Sequence, residues 1–280
     1  MRIKKILVPV DFSPCSVNAL KIAVEIAKGQ LASIEVVNAF HMPAYPHADV
    51  VAANTIIEPI LQDYEDQIEE QFDALTDKVP GLKSVGFSTR KFVSPTKDAI
   101  YTCIEKDGID LIVMGTKGSH DTLEKLVGSV SSDVIRFAQV PVLVIPENVD
   151  AFEIKQIGFA ADLHGIKDMD KLDILILFAK MTGAQLKIFN ISTDTDEESI
   201  IEKARERMKL VDSLSSVDVS YAWINQSEPL EGILDFIDSH KLDMLAMFPR
   251  HHGFWDRLLH GSITKKIAMQ IQIPLLTIHE

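Results

Sequence analysis

Cysteine is scarce in this 280-residue chain: there are two, Cys15 and Cys103, 88 positions apart. A pair so widely spaced fits neither a metal-ligand motif nor a disulfide framework, so a reducing compartment, the cytoplasm, is the expected setting. No apolar run approaches the ~20 residues that a membrane span requires. The basic tip of MRIKKILVPVDFS passes at once into a strand-like run that meets Asp11, which is not the pattern of a secretory leader. Positive charge is also short: 28 Lys and Arg stand against 41 Asp and Glu, for a net −13. Divided after Asp150, the first half holds 14 basic and 21 acidic residues (−7) and the second 14 and 20 (−6). Neither half has the basic face that duplex nucleic acid or an anionic membrane demands, so neither is an expected partner. Missing too are a GxxxxGK[ST] loop, a GxGxxG after the first strand and a GxSxG elbow. No catalytic set is visible.

What is there is ordinary globular composition, 46% hydrophobic and 25% charged, at a length that suits two domains. Ile6-Leu7-Val8-Pro9-Val10 is a continuous apolar run, as expected of a parallel strand buried on both faces. Asp11-Phe12-Ser13-Pro14 ends it: Ser13 suits a helix N-cap and Pro14 the first helical position. Ala19, Ile22, Ala23 and Ile26 then recur at helical spacing, Gly29 is expected to close that helix, and Ile34 to Phe40 reads as a strand. After a loop over His41 to Asn54 come a charged amphipathic helix (58–78), a strand (85–92), a helix (96–106), a strand (110–114), a helix (129–138) and the strand Pro141 to Ile145. Strands alternating with helices predict an α/β fold with a parallel sheet and right-handed crossovers.

The plan then repeats. Ile157 to Asp162 aligns with Ile6 to Asp11, and Gln185 to Asn190 with Ser33 to Asn38. Leu242 to Met247 matches Ile109 to Met114, Gly261-Ser262-Ile263 matches Gly128-Ser129-Val130, and Ile273 to Leu276 matches Val140 to Leu143, all at one offset of 133. Three matches at a single offset mark a tandem duplication. The expected domains are 1–147 and 153–280, joined by the polar stretch around Glu147 to Glu153.

The stretch richest in chemistry is Met114-Gly115-Thr116-Lys117-Gly118, nine further residues, then Gly128-Ser129. Gly115 ends a buried strand, where open α/β sheets place ligands. A glycine there can take positive φ and, lacking Cβ, can admit a ribose or phosphate to the backbone. Gly118 permits the same, so that successive N–H groups converge on an anion. Gly128-Ser129 opens a helix whose free N–H groups favour phosphate. Taken singly these glycines are turn and cap residues; the combined spacing points to a ligand.

Together with the Val-Pro-Val-Asp at its start and the Val-Pro-Val-Leu-Val-Ile-Pro that closes the first half, this pattern resembles the universal stress protein family, with two family domains in tandem. The resemblance implies two doubly wound five-stranded parallel sheets of order 3-2-1-4-5, with helices on both faces, related by a pseudo-two-fold. Motif-bearing members of that family bind ATP. By motif, Pro9, Val10 and Asp11 would border adenine and ribose, and Ala39 would lie against adenine. Met114, Gly115, Gly118, Gly128, Ser129 and Val130 would surround ribose and phosphates, with Ser131 close by. Asp11 has a competing role, as a carboxylate near the first helix's N-terminus. The resemblance also implies that the last strands of the two domains can pair, Pro141 to Ile145 with Pro274 to Ile278, making the monomer a built-in pseudo-dimer; a homodimer of the whole chain stays open.

The second half departs from the pattern. Phe248 and His251 stand where the first half has Gly115 and Gly118, Pro249 has no N–H, and Ala160 replaces Pro9. No family-style nucleotide site is expected there. His251, His252 and His260 fit no zinc spacing and read as surface loop, and Cys15 reads as an ordinary residue of a helix's first turn. The expected function is a stress-response regulator holding ATP, ADP or AMP in the first domain, with Mg²⁺ or without, and with at most slow hydrolysis, for which His120 and Asp121 are the nearest candidates. The rival is an interaction module that binds no nucleotide and acts through its pairing surfaces on a protein partner.

Overall fold

The computed structural model describes residues 2–40, 57–116, 129–161, 168–191, 197–248 and 271–279. The first half contributes β1 (Lys5–Pro9), α1 (Pro14–Gln30), β2 (Ser33–Phe40), α2 (Glu58–Lys78), β3 (Phe87–Val93), α3 (Thr96–Asp107), β4 (Leu111–Gly115), α4 (Ser129–Phe137) and β5 (Val142–Ile145). The second contributes β6 (Gln156–Ala160), α5 (Asp173–Thr182), β7 (Gln185–Ile191), α6 (Glu197–Ser213), β8 (Val219–Ile224), α7 (Pro229–His240), β9 (Met244–Met247) and β10 (Leu275–Thr277).

Local chemistry sets these boundaries. Ser13 Oγ accepts from the Ser16 N–H at 3.3 Å and Pro14 takes the first helical position, so α1 starts where its sequence signals it. Its end differs from expectation. The helix runs through Gly29 and closes at Leu31, in the left-handed region at φ 55°. A Cβ at Gly29 would make ordinary contact, at 3.4 Å, with Met181 Sδ of the second half.

Strands bury both faces. Ile6 and Val8 point into one apolar layer with α1 and α2, and Leu7 points into the other with Ile100 of α3 and Val134 of α4. Each such aliphatic side chain contributes about 1.5–3 kcal/mol when fully buried.

Among the described residues all strand pairs are parallel except one. The order is β3-β2-β1-β4-β5-β10-β9-β6-β7-β8, so each half keeps the 3-2-1-4-5 order. The two sheets fuse into one, because β5 and β10 pair antiparallel with Leu275 opposite Val144 and Thr277 opposite Val142. An antiparallel joint between two copies of one topology is the pseudo-two-fold. The connecting stretch is laid along α1: Asn18 Nδ2 donates to the Val149 carbonyl, and Glu25 accepts from the Phe152 N–H at 3.3 Å.

The duplication extends to single hydrogen bonds. Asp110 accepts from the N–H groups of Lys4 and Lys5 (2.7 and 3.0 Å), and Asp243, 133 positions on, accepts from those of Lys155 and Gln156 (both 2.8 Å). Asn38 Nδ2 donates to the Val10 carbonyl at 2.8 Å, as Asn190 does to that of Ala161 at 2.8 Å.

Candidate functional site

β1 has β2 on one side and β4 on the other, so the winding reverses there and the carboxyl ends of the strands open a crevice at the switch point. Pro9 is the last residue of β1. Val10 is buried and fixed from both sides: its N–H donates to the Val37 carbonyl at 2.8 Å and its carbonyl accepts from Asn38. Asp11 follows half-buried, its N–H donating to Ser16 Oγ at 3.3 Å and its Oδ1 accepting from the Ser13 N–H at 3.1 Å. The competing role of Asp11 is therefore real, since its carboxylate holds the turn that starts α1. Phe12 completes the turn at φ 62°, unusual without glycine, and its ring meets Phe72 of α2 edge-on at 5.4 Å. Ala39 lies half-buried near the end of β2, in register with Phe92, and its neighbour Phe40 stacks on Tyr64 of α2 at 6.0 Å.

Met114 and Gly115 end β4 beside this turn. Gly115 does not have the positive φ that the sequence suggested. A Cβ there would lie 2.7 Å from Cys15 Sγ and 3.0 and 3.1 Å from the Cys15 carbonyl oxygen and carbon. The glycine lets the first turn of α1 press directly on β4. Ser131, buried in α4, donates through Oγ to the Gly115 carbonyl at 2.9 Å, and Thr116 N–H donates to the Ile145 carbonyl at 3.1 Å. These two bonds tie the start of α4, which opens at Ser129, to the ends of β4 and β5. Val130 packs against the apolar layer below. Gly118, Gly128, His120 and Asp121 lie outside the described residues.

Pro9, Val10, Asp11, Ala39, Met114, Gly115, Val130 and Ser131 thus gather at the carboxyl edge of three adjacent strands, with a helix start beside them. Sequence reasoning missed Asn38, Ser16 and Cys15, which position that set. Asn38 had a visible signal, its repetition as Asn190. Replacing Ser131 with alanine removes the donor that meets the Gly115 carbonyl and should destabilise the chain by about 1–2 kcal/mol in urea denaturation.

A second polar cluster lies between β2, β3 and α3. Glu35 is buried, with Lys5 Nζ at 2.5 Å and Arg90 Nη2 at 2.7 Å; Arg90 also reaches Asp107 at 2.6 Å and Cys103 Sγ at 2.7 Å. Ligand atoms of Glu35, Cys103 and Asp107 lie within 4.8 Å of one another, but the guanidinium occupies the place of a cation among them. Partial burial opposes the charge on Arg90, yet hydrogen bonds to Asp107 and Cys103 hold its pKa above the ordinary arginine range. Burial pushes the Cys103 thiol up, against the opposing pull of Arg90. The cluster is a structural ion network.

The model of the universal stress protein family matches residues 2–146, just over half of the chain. The chain belongs to the universal stress protein family. Universal stress protein A homolog 1 of Coxiella burnetii is 32% identical over 146 residues, which is 52% of this chain and 97% of that protein. A universal stress protein of Methanocaldococcus jannaschii is 31% identical over 144 residues, 51% of this chain and 81% of that one. The crystal structure of a universal stress protein from Archaeoglobus fulgidus covers 100% of this chain and 97% of its own at a TM-score of 0.69, with 17% identity, and so shares the full two-half fold.

Within this universal stress protein the halves diverge at the position of Gly115. Its counterpart Phe248 follows β9, buried, with its ring against Phe159 at 5.6 Å. Aligned by Ala27-Lys28 with Ala179-Lys180, α5 begins at Asp173 where α1 has Lys21. The first two turns of α1 therefore have no α-helical counterpart among the described residues, a 3₁₀ turn at Met169–Leu172 standing in part of their place. Phe248 turns its ring into the apolar core instead. Pro249 and the residues from Arg250 to Ser262, His251, His252 and His260 included, lie outside the described residues.

Proposed function

We propose that this universal stress protein binds one adenine nucleotide, ATP in the first instance, at the switch point of its first half, and acts as a nucleotide-responsive regulator in the cytoplasm. The observation that carries this reading is the convergence of Pro9 to Asp11, Ala39, Met114-Gly115 and the start of α4 on one crevice. The Val10 carbonyl is held by Asn38 and the Gly115 carbonyl by Ser131, so the walls of the crevice are fixed before any ligand arrives. Adenine and ribose would lie against Pro9, Val10, Asp11 and Ala39. Phosphates would meet backbone N–H groups at Gly115, Gly118 and Gly128 to Ser131, with Mg²⁺ as an accompanying ion; such charge-assisted bonds contribute about 1.5–3 kcal/mol each. Domain limits of 1–147 and 153–280 put the whole site in the first domain. Phe248 and the late start of α5 support a single site per chain.

The rival, an interaction module using domain-pairing edges, is weakened by the pairing of β5 with β10, which uses both of those edges within one chain. The test is mass spectrometry of small molecules released on denaturing freshly purified protein, followed by calorimetry on nucleotide-stripped protein. About one equivalent of ATP, ADP or AMP per chain, or rebinding of ATP with a Kd below about 100 μM, is the expected result. A chain that releases none and takes up none of these three refutes the reading.

A further inference from the structure

The helix whose first turn borders the candidate site, α4, is held at its other end by the second half. His279, just past the end of β10, is buried, and its Nε2 lies 2.6 Å from the carbonyl oxygen of Ile135 in α4. A carbonyl only accepts, so the proton is on Nε2 and His279 donates. Ile135 is in the last turn of α4, where a helix leaves its carbonyls without intrahelical partners. Neighbouring carbonyls are met from within the first half: that of Val134 by the Ala138 N–H at 2.9 Å, and that of Phe137 by the Tyr101 hydroxyl of α3 at 3.3 Å. Val134 and Ile135 also share one apolar layer with Leu275 of β10.

Nine residues are too few to hold a helix unaided, so the position of α4 is set by what it is fastened to. At its start Ser131 Oγ donates to the Gly115 carbonyl, and at its end His279 holds the Ile135 carbonyl from 144 positions away. Ser131 and Ile135 are about one helical turn apart, roughly 6 Å of rise, so a shift at one fastening is felt at the other. Pro146 cannot return the hold. At the offset of 133 that relates the halves it stands where the second half has His279, and it has neither a side-chain donor nor an N–H. The half with the intact motif is the half whose helix is gripped.

We propose, building on the nucleotide reading above, that the second half clamps α4, and that His279 is a positioning residue which sets the N–H groups at the start of α4 for phosphate. The connecting stretch does the same for α1, through Asn18 and Glu25. Both helices that border the crevice are thus held from outside the first domain.

Hydrogen exchange by mass spectrometry on the unliganded full chain, paired with ATP calorimetry on nucleotide-stripped protein, tests it. His279→Ala should speed exchange of the α4 amides and weaken ATP binding, each about 5-fold, the equivalent of one hydrogen bond. His279→Gln, whose side-chain amide also donates, should bring both back to within about 2-fold of wild type. Thr277→Val is the control. It removes the Thr277 Oγ1 bond to the Val142 carbonyl, 3.4 Å long and in the same joint, and should leave α4 and ATP binding as they are. If the alanine variant misfolds, His279→Leu, of similar volume and without a donor, replaces it. An α4 that exchanges no faster in the variants without a donor overturns the proposal. So does loosening without loss of affinity, failure of glutamine to restore either property, or an equal effect from Thr277→Val. A wild type that takes up no ATP defeats the nucleotide reading and the phosphate role with it, while the α4 exchange still decides the clamp.

Discussion

Gly115→Ala should cost the folded chain about 2 kcal/mol, and Gly115→Val about 3 kcal/mol or more. The reason lies behind the site. An added Cβ meets Cys15 Sγ at 2.7 Å, which a side chain can relieve, but also the Cys15 carbonyl oxygen and carbon at 3.0 and 3.1 Å, which only movement of α1 can relieve. Moving the first turn of α1 carries with it Ser13 and Ser16, the partners of Asp11. Under the proposed function, nucleotide affinity should therefore fall along with stability. A glycine that served only ligand approach would lose affinity while the urea midpoint stayed put, so the two measurements separate the roles. A double-mutant cycle sharpens the test. Cys15→Ala removes the sulfur and leaves the carbonyl contacts, so combining it with Gly115→Ala should recover about 1 kcal/mol and not the whole loss. A Gly115→Ala chain within about 0.5 kcal/mol of wild type would refute the packing role.

The same residue shows how far the sequence could be read. Apolar runs and their repetition located nine of the ten strands, β8 excepted, because a duplicated hydrophobic pattern carries topology with it, while the joint of β5 with β10 was implied by the family resemblance. The need for glycine at position 115 was legible but not its contact with Cys15, since a missing side chain does not say which side uses the space. Gly29 misled in another way: the helix runs past it and ends at Leu31, in the left-handed region although leucine has no αL preference. Phe248 was legible as a change incompatible with the first-half pattern. That its ring turns into the core was not, because this depends on where α5 begins. Asp11 was read with both of its roles in view, and the Ser13 bond establishes one of them.

The Glu35 network was invisible to motif reading, since its members sit on β1, β2, β3 and α3 with no fixed spacing. It carries the other large effect. Arg90→Met should destabilise the chain by about 3 kcal/mol, the low end of the range for breaking a buried ion pair. The low end applies because Lys5 Nζ still lies 2.5 Å from Glu35 and the Arg90 side chain is itself 35% exposed. Lys5 does not compensate fully: the Oε2 it approaches makes no hydrogen bond. Arg90→Lys keeps the charge but cannot span Glu35, Asp107 and Cys103 at once, so its loss should fall between the two. The decisive variant is Glu35→Met with Arg90→Met. If the cost of Arg90→Met comes from a stranded carboxylate, removing that carboxylate should restore most of the stability even though the ion pair is gone. If the network instead holds β3 to the sheet by the pair itself, the double variant should remain as unstable as Arg90→Met alone in urea denaturation.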